Sequence, residues 1–111
     1  MQVLLLMYQD EKAIQKLPRE EFGRIHGAFV AYVDALKKAG VLLANQGLGP
    51  TAKARTVREA TVLDGPFAET KEQLAGYFLL EVPDMEAALA WAKRHPTLAH
   101  GAVEVRPVWQ M

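Results

Sequence analysis

The chain breaks into short blocks that differ in how apolar and polar positions alternate. Val3 to Tyr8 is continuously apolar, as a strand covered on both faces should be. After a polar stretch, Pro18 opens a helix where its missing N–H costs nothing. Phe22, Ile25, Phe29, Val33 and Leu36 recur at helical spacing, and Gly40 closes this helix after Lys37 and Lys38. Val41 to Ala44 starts a strand that fades at Gly47, Gly49 and Pro50. The stretch TAKARTVREATVL, residues 51–63, reads as a hairpin turning near Arg58-Glu59. Tyr77 to Val82 is a further apolar strand. Asp84 caps a second helix with Met85, Ala88, Leu89 and Ala92 on one face, and Pro96 ends it. Ala102 to Trp109 is the last strand.

With the hairpin set aside, the order is strand, helix, strand, strand, helix, strand. That is the split βαβ arrangement: a ferredoxin-like α+β fold, an antiparallel four-stranded sheet with both helices on one face and an inserted hairpin. Two helices cover one side of such a sheet. Yet the first and third strands carry apolar residues on both sides, Leu4, Leu6, Phe78 and Leu80 as well as Val3, Leu5, Tyr77 and Leu79. A second copy packed face to face is the simplest cover for the other side, so the expectation is a homodimer.

Composition narrows the function classes. At 111 residues the expectation is one domain spanning 1–111. Half of the residues are apolar and 23% are charged, which is ordinary globular usage. Thirteen basic residues balance thirteen acidic ones with no basic patch, so direct nucleic-acid binding is not expected. No cysteine is present, which removes thiolate and disulfide chemistry and suits a cytoplasmic protein. The apolar run at the N-terminus is too short for a signal segment or a membrane span, so no membrane association is expected.

Residues 64–77, DGPFAETKEQLAGY, are the most distinctive stretch. Asp64-Gly65-Pro66 is turn chemistry, and Thr70 with Gln73 has capping-box spacing for a short helical turn that Gly76 would end. Phe67 and Leu74 read as small anchors into the core. Asp64, Glu69, Lys71 and Glu72 are left over by this structural account.

This run resembles the DGPF family of YCII-related proteins, and so do MQVLLLMYQDE at the start, AGVLLANQGL at 39–48 and GAVEVRPV at 101–108. The resemblance spans essentially the whole chain. It implies the ferredoxin-like fold paired into a dimeric α+β barrel. For some members it implies a catalytic histidine–aspartate pair in a pocket, and for others a link to extracytoplasmic-function sigma factors. The family's histidine sits on the first helix about one turn beyond His26, where this chain has Phe29.

His26 projects among Phe22, Phe29, Val30 and Val33, and Asp64 is the natural carboxylate partner for an inward imidazole. Glu104 and Arg106 share a sheet face, either as a plain ion pair or as a clamp for an anionic ligand. Tyr77 would add a donor and Phe67 an apolar contact. His95 reads as a helix C-terminal histidine and His100 as a loop residue. No metal site and no cofactor motif is evident. The expected function is therefore small-molecule binding, or proton-transfer chemistry of isomerase or lyase type on a small anionic substrate. His26 and Asp64 would be catalytic, with Tyr77, Arg106, Glu104 and Phe67 binding the substrate at the DGPF turn. The alternative is a regulatory module whose DGPF surface docks a sigma-factor-type protein.

Overall fold

The computed structural model describes residues 1–110. Its centre is β1 (Gln2–Gln9), where the pleat sorts a continuous apolar run onto two faces. Val3, Leu5 and Met7 are buried, while Leu4, Leu6 and Tyr8 are half-buried. β5 (Gln73–Glu81) repeats the pattern, with Phe78 and Leu80 buried and Tyr77 and Leu79 half-buried. The sheet runs β2 (Leu42–Gly47), β5, β1, β6 (Gly101–Pro107), with every neighbouring pair antiparallel. Helices α2 (Arg19–Lys38) and α3 (Met85–Ala92) both cover the Val3–Leu5–Met7 face. This is the expected ferredoxin-like arrangement. No helix among the described residues is long and apolar enough to cross a membrane.

The helix ends follow their local chemistry. At the end of α2, Gly40 takes φ +73°, its N–H bonds to the Lys37 carbonyl, and the Val41 N–H bonds back to Leu36 at 3.1 Å. Those are the two bonds of a Schellman cap. Asp84 caps α3 through a 2.8 Å bond from the Ala87 N–H. The polar stretch after β1 holds an unexpected short helix, α1 (Glu11–Gln15), capped by Asp10.

Two sequence expectations are corrected. No helical turn forms at Thr70, because β5 begins at Gln73 and pairs past a bulge, Tyr8 opposite Leu74 and Gln9 opposite Gln73. Thr70 and Gln73 instead bond to the backbone carbonyls of Glu72 and Thr70. Gly76 therefore lies inside a strand, where a Cβ would strike Met7 Cε and stand 2.6 Å from the Gln46 carbonyl oxygen.

The second correction concerns His95, which lies just past the end of α3, as expected, but is buried in the core rather than a charged partner of the helix dipole. It is 3% exposed and ringed by Phe29, Tyr32 and Phe78 at centroid distances of 5.7, 4.8 and 5.0 Å. Its Nδ1 accepts the Thr97 N–H at 3.1 Å and so caps the 3₁₀ turn Pro96–Ala99. Accepting at Nδ1 leaves the ring proton of the neutral form on Nε2, which has no partner.

The hairpin forms its own two-stranded sheet, β3 (Arg55–Arg58) and β4 (Thr61–Asp64), turning through Glu59 at φ +51°. Its base is closed by the Gly65 N–H on Ala54 at 2.8 Å and the Thr56 hydroxyl on Gly65 at 2.9 Å. Gly65 itself has φ +99°, a backbone state that side chains disfavour.

Two stability outcomes follow from this packing. Gly76→Ala should cost about 1–3 kcal/mol in urea unfolding, since its near neighbours include backbone that cannot swing aside. Gly65→Val should cost a similar ~1–3 kcal/mol through backbone strain with open space around it. For His95, burial pushes the imidazole from 6.5 down to about 4. A depressed folded value means that the unfolded chain binds the proton first. Stability is thus full above about pH 6.5 and lost as pH falls toward about 4, by roughly 3 kcal/mol at most. Denaturant titrations from pH 7 to 4 should show that slope, and His95→Asn, which keeps a capping acceptor, should flatten it.

Candidate functional site

The structure separates the residues that the sequence would bring together. The buried stripe of α2 is centred on Ile25, Phe29, Tyr32 and Leu36, and His26 and Val30 fall outside it, exposed. Tyr32 moves that centre. It is 5% exposed, donates to the Trp91 carbonyl at 2.7 Å, and burial raises its phenol. Asp64 is also exposed and pairs with its cross-strand neighbour, Arg55 Nε, at 3.1 Å. His26 and Asp64 share no hydrogen bond, ion pair or cavity wall among the described residues, so the inward pair expected from sequence does not form.

Glu104 and Arg106 do meet, Arg106 Nε donating to Glu104 Oε2 at 2.8 Å, on the sheet face that no helix covers. Tyr77 lies on the same face across Leu6 from Glu104. Phe67 is 74% exposed, with the Arg58 guanidinium 4.9 Å from its ring centre. Rather than anchoring the core, it forms the lip of a cavity of about 510 Å³ between the DGPF segment, Leu48–Ala54, Tyr8 and Leu74. The walls there are mainly apolar. Thr51, one of the half-buried polar residues in them, already donates its N–H and hydroxyl to the Glu11 carboxylate at 2.8 and 2.7 Å.

A second cavity, of about 280 Å³, opens on the helix-covered side between the start of α2, the Pro96–Ala99 turn and the ends of β1, β2 and β5. Phe22, Ile25, Phe29, Met7 and Phe78 supply an apolar wall. Gln9, Asn45 and Gln46 line the strand side, and the turn adds two further polar residues. Thr97 is 1% exposed and its Oγ1 has no hydrogen-bond partner, although its backbone N–H is held by His95. His100 follows the same turn, with its N–H bonded to the Thr97 carbonyl at 3.0 Å. Its Nε2 is buried and unbonded, 3.5 Å from Glu21 Oε1, within ion-pair reach but not aligned for a hydrogen bond. Glu21 stands in the first turn of α2, its other oxygen 3.3 Å from Arg24.

Buried polar atoms without partners are rare because each costs roughly 1–3 kcal/mol. Three occur among the described residues, on His95, Thr97 and His100, and two of those side chains line this one cavity. Sequence reasoning passed over His100 as a loop residue and did not consider Thr97 or Glu21. Glu21 and His100 are distant in the chain, and only the Pro96–Ala99 turn packed beneath α2 brings them together.

A family model of the YCII-related domain matches residues 1–111, and the chain belongs to that family. An uncharacterised protein of Rhizobium meliloti (strain 1021) is 36% identical over 110 residues, covering 94% of this chain and 89% of that protein. Among solved structures, the 5-chloro-2-hydroxyhydroquinone dehydrochlorinase of Burkholderia phenoliruptrix AC1100, in complex with 2,5-dihydroxybenzoquinone, is similar with a TM-score of 0.57. Its sequence is 17% identical, and the match covers 99% of this chain and 94% of that one. At that identity the likeness is one of fold.

Proposed function

Taking membership of the YCII-related family as the premise, we propose that this protein binds a small, single-ring molecule bearing hydroxyl or carbonyl groups. The site is the cavity of about 280 Å³ under the start of α2. The observation that carries this reading is the buried, unpartnered Thr97 hydroxyl beside the aromatic part of the cavity wall. Phe22, Phe29 and Phe78 offer ring faces, and the volume is at the small end of ligand pockets, which start at roughly 300 Å³. Thr97 and His100, with Gln9, Asn45 and Gln46 also on the wall, would supply the few polar contacts that orient a ligand in such a pocket.

The same groups support proton transfer. An imidazole with a carboxylate beside it can exchange a proton with a ligand hydroxyl, and Glu21 is placed to hold His100 toward the cavity. The dehydrochlorinase of the same fold holds a hydroxylated quinone, which makes that molecule a reasonable first probe. We further propose a homodimer in which the uncovered sheet faces meet. Leu4, Leu6, Tyr77 and Leu79 form a half-exposed apolar strip there, on the side away from α2 and α3.

The test is calorimetric titration with 2,5-dihydroxybenzoquinone and related hydroxylated rings. Thr97→Val should weaken binding about 5- to 10-fold, the value of one hydrogen bond, while leaving urea stability equal or higher. A hydroxyl kept for structure would behave in the opposite way, losing stability with affinity untouched. Absence of binding by every ring tried at millimolar concentration would count against the reading itself.

A further inference from the structure

One position in the wall of the cavity under α2 is a glycine that the fold does not require. Gly47, the last residue of β2, lies opposite Gly76, which lies opposite Met7. Residues directly opposed in an antiparallel ladder point to the same face. All three therefore face α2 and α3, beside the Asn45–Phe78 pair. The two glycines differ in what surrounds them. At Gly76 a Cβ would strike Met7 Cε and crowd the Gln46 carbonyl, so packing demands glycine. At Gly47 a Cβ would meet nothing within 4 Å, and the backbone stays outside the left-handed region. Neither crowding nor φ calls for glycine there, although glycine weakens a strand. Glycine in a strand also marks where a ligand approaches the backbone closely.

The open space over Gly47 belongs to the cavity of about 280 Å³, since Gly47 is part of its wall. The buried hydroxyl of Thr97, without a partner, stands in the same wall. The two sit at opposite ends. Gly47 is on β2, at one edge of the sheet order β2, β5, β1, β6. The Pro96–Ala99 turn that carries Thr97 packs on β6 and β1. Two strand spacings separate β2 from β1, roughly 10 Å at about 4.8 Å each. That distance takes a single ring lying across β5, hydrogen-bonded at one end and in van der Waals contact at the other.

We propose that Gly47 is the position that sets ligand specificity in this cavity. With the orienting hydroxyl directed at Thr97, the para position of the ring points to Gly47, where the missing side chain leaves room for a further small group. The ligand class is then a phenol with a small para substituent rather than a bare ring. Any side chain at position 47 would take the place of that group. This rests on binding in the cavity as proposed above, and it adds the substitution pattern and the residue that selects it.

The experiment is calorimetric titration of the full chain with phenol, 4-methylphenol and 4-ethylphenol. In the native chain each added carbon should tighten binding about 3- to 4-fold, the value of one buried CH2. In Gly47→Val the order should reverse, with 4-ethylphenol binding worst, and Gly47→Ala should fall between. Thr97→Val, which removes the partner of the hydroxyl common to all three, should weaken them alike and keep the native order. Urea stability of Gly47→Val should equal or exceed that of the native chain, since valine suits a strand and meets no neighbour. The native order retained in both Gly47 variants, or no gain from the para carbons in the native chain, overturns the assignment while leaving the cavity as a binding site. A clear loss of stability in both variants does the same, by making Gly47 a structural residue. Absence of binding by all three phenols at millimolar concentration overturns the binding reading and this one together.

Discussion

The structure depends on a mismatch between two apolar sheet faces and helices enough for one. β1 lies in the middle of the sheet and its run from Val3 to Tyr8 puts hydrocarbon on both sides. α2 and α3 bury Val3, Leu5, Phe78 and Leu80 completely or nearly so, which sets the layer order and the position of every helix-side group. The same strand leaves Leu4, Leu6 and Tyr8 only half covered. The covered side is where a pocket with orphaned polar atoms can exist. The uncovered side is suited to contact with another chain, since apolar strips of that kind are uncommon on free surfaces.

The core and the candidate site are joined through one histidine. His95 sits among Phe29, Tyr32 and Phe78, and its Nδ1 fixes the first N–H of the Pro96–Ala99 turn. That turn carries Thr97 and His100 to the cavity beneath Phe22 and Ile25. A charge on His95 would be desolvated within the aromatic ring cluster, so the neutral imidazole is part of what keeps the turn in place. The placement of the polar groups in the cavity thus depends on the packing behind them. The DGPF segment plays a different part. Its glycine and proline shape the root of a hairpin arm, and its phenylalanine forms a lip instead of entering the core.

Much of the architecture was legible in the sequence. Short apolar runs located the central strands and period-3.6 patterns the two sheet-covering helices, and glycine and proline marked their ends. The site was not legible in the same way, for reasons visible at particular residues. A helical projection centred on Phe22 and Val33 turned His26 inward. Tyr32, whose ring enters the core while its hydroxyl reaches the Trp91 carbonyl, shifts the true centre and turns His26 out. Thr70 and Gln73 have the spacing of a helix cap, but strand pairing of Gln73 with Gln9 and of Leu74 with Tyr8 takes the backbone of the second half first. A tertiary ladder outweighs a local cap of about 1 kcal/mol.

The sequence by itself determined the order of elements, the antiparallel sheet and the surplus of apolar surface, because these rest on periodicity and on backbone rules that act within a few residues, and its DGPF run carried the resemblance to the family. Tertiary structure alone decided which polar side chains ended up buried and near one another. Glu21 and His100 lie 79 positions apart and meet within 3.5 Å only through packing, and Thr97 Oγ1 is left without a partner only by the burial that packing of its turn brings. Burial and proximity are properties of the packed whole, and no local pattern of residues encodes them.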